Sequence, residues 1–148
     1  MKELINISEF PQHLKTLTET EWNELFNLLP EIQKTKSFGE IKISKRKPGE
    51  IQQFPFYTHE EITIRLVNTL YKLNLLPVFD WMDWDEGTEI LRNESTDYNR
   101  FDKITLCKLL TTIIRADRFN DGYLVFSLRD GTVGKILQSL ELKVRSTS

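Results

Sequence analysis

The chain has 148 residues, 39% of them hydrophobic and 28% charged, and 20 basic against 22 acidic side chains leave a net charge of −2. Those values describe one ordinary globular domain, able to bury about 70% of its unfolded surface. Global charge points to neither nucleic acid nor membrane, and no run approaches the roughly 18 consecutive apolar residues of a membrane span.

The N-terminus, MKELINISEF, lacks the apolar core of a signal peptide. The single cysteine, Cys107, has no intrachain partner and falls within an apolar helical pattern. A reducing cytoplasm is therefore the expected location. Ser8 is placed to cap a short helix reaching about Leu17, with Phe10, Leu14 and Leu17 inward. Thr18 to Glu21 reads as a capping box, Thr-Glu-Thr-Glu. Trp22, Leu25, Phe26 and Leu29 follow at i, i+3, i+4 and i+7, an amphipathic helix that Pro30 should end or kink.

Residues 38–57 are irregular in pattern. Ile41 and Ile43 alternate with lysines, and Pro48-Gly49 supplies a turn. A small hairpin between residues 39 and 57 and an exposed loop fit equally well. Lys42, Lys45, Arg46 and Lys47 make this stretch basic, so a nucleic-acid backbone is one partner to consider. A solvated loop is the plainer reading, because no aromatic is interleaved to stack a base.

Thr58 to Glu61, Thr-His-Glu-Glu, reads as a second capping box opening a helix to about Leu75, with Ile62, Leu66, Leu70 and Leu73 buried. His59 would sit in its first turn, facing solvent. In Val78–Leu91, a helical pitch would put Trp81 and Trp84 on one face, as core, and Asp80 and Asp83 on another. From Asp80 to Asp102 there are eight acids and two arginines, whereas Lys103 to the end holds eight basic residues and four acids. Asp80 or Asp83 meeting Arg115 or Arg118 is the expected junction between these segments. Asp83, Asp85 and Glu94 match positions 1, 3 and 12 of a calcium loop, but Gly87 falls one place before the required turn, and the match fails. Two scattered histidines and one cysteine make no zinc set, so neither metal nor cofactor is expected.

From Ile104 to Phe119 the spacing is again helical, with Leu106, Leu110 and Ile113 inward and Lys108, Thr111, Thr112, Arg115 and Arg118 opposite. Asp117 falls on the apolar face and needs a partner from another element or from the amides near Gly122. Asn120 or Asp121 is positioned to cap the segment beginning at Gly122. That segment reads as two short helices, with a hairpin at Asp130-Gly131 as the alternative, and the tail over residues 144–148 reads as frayed. In all, the expectation is a mainly α, single-domain fold of about six helices spanning residues 1–148.

Asp80, Trp81 and Trp84, followed by Leu106, Leu109, Leu110, Thr111, Arg115, Asp117, Arg118, Phe119 and Gly122, carry a family resemblance. This half of the chain resembles an uncharacterised bacterial domain family in which D-W-x-x-W precedes an L-x-x-L-L-T-x-x-x-R-x-D-R-F helix. The resemblance implies a bacterial or phage source and a mainly helical C-terminal half, and it implies no activity.

The candidate site is the cluster Asp80, Trp81, Asp83, Trp84, Arg115, Asp117 and Arg118. Read structurally, its charges pair and fix the packing. Read functionally, it binds. The favoured function is a non-enzymatic accessory protein acting through a protein partner. Two alternatives stay open: a small enzyme using the cluster's carboxylates and arginines on a phosphate-bearing substrate, and nucleic-acid binding through Lys42 to Lys47. No residue qualifies as catalytic on pattern alone, and oligomeric state is not encoded in any heptad or repeat.

Overall fold

The computed structural model describes residues 3–42 and 56–146. Its described elements are mainly helical. In order they are α1 (Phe10–Thr16), α2 (Glu19–Phe26), α3 (Leu29–Lys34), β1 (Gly39–Lys42), β2 (Phe56–His59), α4 (Glu61–Lys72), α5 (Asp85–Arg92), α6 (Lys103–Ala116), α7 (Tyr123–Arg129) and α8 (Thr132–Ser146). Two 3-10 turns, Trp81–Asp83 and Tyr98–Arg100, flank α5.

Helix α6 is the centre, packing against α5, α7, α8 and the first 3-10 turn. Leu106, Leu109, Leu110 and Ile113 are buried, but so are Thr111 and Thr112, which the heptad-like pattern places on the polar side. Their hydroxyls donate to carbonyls one turn back, Thr111 Oγ1 to Cys107 O at 2.7 Å and Thr112 Oγ1 to Lys108 O at 2.9 Å. With those donors satisfied, a threonine can enter a core at little cost. Ile136, Leu137 and Leu140 of α8 and Leu66 and Leu70 of α4 complete the same core.

Several helix ends differ from the expected ones. The Thr18–Glu21 capping box is present in both directions, Glu21 N to Thr18 Oγ1 at 3.1 Å and Thr18 N to Glu21 Oε1 at 3.0 Å. Ser8, by contrast, caps nothing: α1 starts after Glu9, and the Ser8 amide donates to Asn6 Oδ1. Pro30 opens α3 rather than closing α2, because the first turn of a helix has no use for the missing N–H. The chain therefore breaks between Phe26 and Leu29, and one expected helix becomes two. Thr58 and His59 lie in β2, not at a helix start; Gly39–Lys42 pairs antiparallel with Phe56–His59, from Gly39 opposite His59 to Lys42 opposite Phe56. Helix α4 begins after Glu60, whose amide donates to Phe38 O, and Thr63 Oγ1 donates to the same carbonyl. Among the described residues there are eight α-helices against the expected six or so.

The end of α4 anchors the N-terminal segment. Asn74 adopts φ 55°, and the amides of Asn74 and Leu75 return to Tyr71 O and Leu70 O at 3.1 and 2.9 Å. That is a Schellman closure with asparagine in the left-handed position. Asn74 Nδ2 then donates to Glu3 O, His13 Nε2 meets Leu73 O at 2.9 Å, and Val78 exchanges backbone bonds with Ile5 and Ile7.

At the α7–α8 corner the two-helix reading holds and the hairpin does not form. Gly131 has φ 89° and its amide returns to Leu128 O, while Asp130 Oδ1 accepts from Thr132 N at 2.9 Å. Helix α8 continues to Ser146, past Lys143 where fraying was expected, with Arg145 held by Glu141. A Cβ at position 131 would meet no atom within 4 Å, so substitution there isolates backbone strain. Gly131→Ala should destabilise by about 1–2 kcal/mol, the cost of holding an L-residue in the left-handed region. Urea unfolding checks this; an unchanged midpoint would mean the corner relaxes freely.

Candidate functional site

The C-terminal end of α6 emerges from the core beside the 3-10 turn Trp81–Asp83. There Trp81 and Phe119 approach with ring centroids 6.0 Å apart at 36°. Trp81 is half-buried, whereas Phe119 is 73% exposed and the adjacent Met82 is 61% exposed. Trp81 is therefore the base of a surface patch and not a core residue.

Trp84 has a different environment. Its ring stands edge-on to Phe79 at 5.6 Å and 82°, and Lys108 Nζ sits 4.2 Å above it and 4.9 Å from Phe79. Gly87, one turn into α5, is there because a Cβ would overlap the Trp84 indole. Lys108 and Gly87 are not among the candidate site residues of the pattern reading. An isolated glycine inside a helix was the available signal, since glycine there costs about 1 kcal/mol and needs a packing reason. Trp84 thus serves packing, half-buried under a cation rather than sealed in the core.

The charged groups do not pair as expected. Arg115 Nη2 donates to Leu76 O at 3.4 Å, and exposed Arg118 reaches Tyr71 Oη at 3.5 Å. Neither is bonded to Asp80 or Asp83. Those two carboxylates instead lie against each other: Asp83 is held above the ordinary aspartate range by its hydrogen bond to Asp80, then by the charges of Asp80 and Asp85. The block charges of the two segments do not specify which side chains meet, because the 3-10 turn aims Asp80 and Asp83 together rather than toward α6.

Asp117 does find the amides near Gly122. As the C-cap of α6 it accepts from Leu124 N at 3.0 Å, and so closes the first turn of α7 from outside that helix. Neither Asn120 nor Asp121 caps α7; its N-cap is Gly122, at φ 91° with no side-chain bond. Asp117, Arg118, Leu124, Tyr71 and Ile64 border a groove of about 270 Å³ between α4, α6 and α7.

Among the described residues no three His, Cys, Asp or Glu side chains are grouped to hold a metal. Cys107 is fully buried and its thiol is pushed up to about 12 by desolvation, so it carries no thiolate at neutral pH. Lys42 lies in β1, and Lys45, Arg46 and Lys47 lie outside the described residues. No described helix is long and apolar enough to cross a membrane.

A family model described as a family of unknown function, DUF6508, matches residues 17–146. No curated protein and no solved structure matches the chain.

Two measurements check this geometry. Asp117→Ala should cost about 1 kcal/mol, the loss of a cap, and Asp117→Asn should restore most of it. A loss of about 3–5 kcal/mol would instead mark an unpaired buried partner. In an NMR titration, the Asp83 carboxyl should have its midpoint above the ordinary aspartate value, returning to it in Asp80→Ala. The sign follows from linkage: a carboxylate raised in the folded state is a penalty at neutral pH. That penalty fades as pH falls through the folded value. A midpoint unmoved by Asp80→Ala would sink the assignment.

Proposed function

Since the chain belongs to that family of unknown function, we propose from its own geometry that it is a non-enzymatic binding protein. Its partner is a protein that docks on the Trp81–Met82–Phe119 surface. The observation that carries this reading is a phenylalanine 73% exposed and resting on a tryptophan. Burying a phenylalanine side chain is worth roughly 1.5–3 kcal/mol, which the free chain forgoes. Arg118 stands at the patch edge, exposed and with a long contact to Tyr71 Oη. Aromatic residues beside an arginine are the composition in which binding energy concentrates, while scattered exposed leucines are not.

The phosphate-substrate reading would need Arg115 and Arg118 to converge with Asp80 and Asp83. The arginines instead contact Leu76 O and Tyr71 Oη, and the aspartates contact each other. The nucleic-acid reading rests on Lys42, Lys45, Arg46 and Lys47, of which the last three lie outside the described residues.

A photo-crosslinking residue placed at Met82 should yield a discrete adduct in cells, and Phe119→Ser should weaken it. Once that partner is purified, Phe119→Ser should reduce affinity by about 2 kcal/mol or more, roughly thirtyfold. Stability should change by no more than about 0.5 kcal/mol, as at other surface positions. Undiminished binding by Phe119→Ser would reject the docking surface; a large loss of stability would assign Phe119 to the fold instead.

A further inference from the structure

At the opposite end of α6 lies a second cleft, of about 570 Å³, between α1, α2, the start of α6 and the end of α8. Its volume falls in the range of about 300–1,000 Å³ used by small-molecule sites. The 14 residues of α6 separate it from the Trp81–Phe119 patch by about 20 Å. Leu14, Leu17, Trp22 and Val144 supply apolar walls, with Trp22 only 6% exposed and stacked on Phe26 at 5.7 Å and 4°.

The rim is cationic. Lys15, Lys103 and Arg145 border the cleft against one acid, Glu19. Arg145 is fixed in place: Nε bonds Glu141 at 2.9 Å, Nη2 bonds Asn23 at 2.9 Å, and the guanidinium lies 5.5 Å from the Phe26 ring. Lys15 and Lys103 have no ion pair among the described residues. Lys103 is the more telling. It is the first residue of α6, half-buried, and the first turn of that helix contains no acid. A cation there is placed against the positive end of the helix dipole, which favours anions. Asp102, the N-cap, offsets part of this by accepting from Thr105 N at 2.8 Å. Apolar walls, two lysines without ion pairs and a helix N-terminus all ask for the same ligand.

We infer that this cleft binds a small amphipathic anion, a carboxylate or phosphate head on an apolar body. The head lies between Lys15 and Lys103, at the start of α6, and the body covers Leu17 and Val144 over the Trp22 ring. Arg145, already held by Glu141 and Asn23, supplies long-range attraction and a fixed wall rather than a mobile clamp.

The test is NMR titration of the full chain with octanoate, octyl phosphate, octanol and acetate, each below any micelle-forming concentration. At least one of the two amphipathic anions should shift the Trp22 indole and the Leu17 and Val144 amides saturably. The tighter of the two identifies the head group. Octanol should bind about tenfold more weakly, the worth of a charge-assisted hydrogen bond, and acetate should give no saturable shift. Lys15→Gln combined with Lys103→Gln should weaken the anion by about tenfold or more and leave octanol unaffected. Equal binding of octanol and the anions, no saturable shift with either anion, or an unchanged affinity in the double variant would each overturn the inference.

Discussion

The structure depends on a helix that is enclosed along most of its length. Helix α6 is enclosed by α5, α7, α8 and the Trp81–Asp83 turn, and eight of its residues are buried. Such enclosure is permitted only if every polar group on the helix is satisfied from within, because an unpaired buried hydroxyl costs about 1–3 kcal/mol. Thr111 and Thr112 meet that condition by donating to Cys107 O and Lys108 O. Of the remaining polar side chains, Lys108 leaves the helix midway to sit over Trp84 and Phe79, while Asp102 caps the start and Arg115, Asp117 and Arg118 leave the core at the finish. Apart from Lys108, surface chemistry around this helix gathers at its ends.

The two ends are built differently. At the start, the side chain of Asp102 closes its own helix, and the lysine that follows has no ion pair among the described residues. At the finish, Asp117 does not serve its own helix but the next, holding Leu124 N across the turn. That single bond couples the direction in which α6 stops to the direction in which α7 starts. It also places Phe119 on the outside of the turn between them, where its ring meets Trp81 and is otherwise largely exposed.

Much of the helical content was legible because apolar periodicity reports burial directly, as with Leu106, Leu110 and Ile113, or Leu66 and Leu70. The differences have distinct physical causes. Thr111 and Thr112 look like a solvent face until their hydroxyls are seen to return to the backbone. Thr58, spaced correctly for a capping box, is taken by pairing with Glu40 in the ladder, a long-range choice that no local pattern contains. Pro30, expected to end or kink α2, instead sits in the first turn of α3, where Leu29 and Ile32 are buried. For the site, the sequence brought together the right elements, the Trp81 turn and the end of α6, yet paired the wrong atoms. Opposite net charge predicts that two segments attract; it does not say where a 3-10 turn points its carboxylates.

The arrangement of these charges matters for the docking surface proposed above. Had Asp80 and Asp83 closed onto Arg115 and Arg118, the Trp81–Phe119 patch would be bordered by neutralised pairs and would offer little beyond apolar area. Instead Asp83 leans on Asp80, so one edge of the patch concentrates negative charge, while Arg118 holds positive charge at another. Exposed ion pairs add little affinity, but charges of fixed sign on either side of an apolar centre orient an approaching partner and reject one with the opposite arrangement. A cation brought beside the two carboxylates would ease their mutual repulsion. For the partner proposed above, the aromatic pair would supply contact and the flanking charges register.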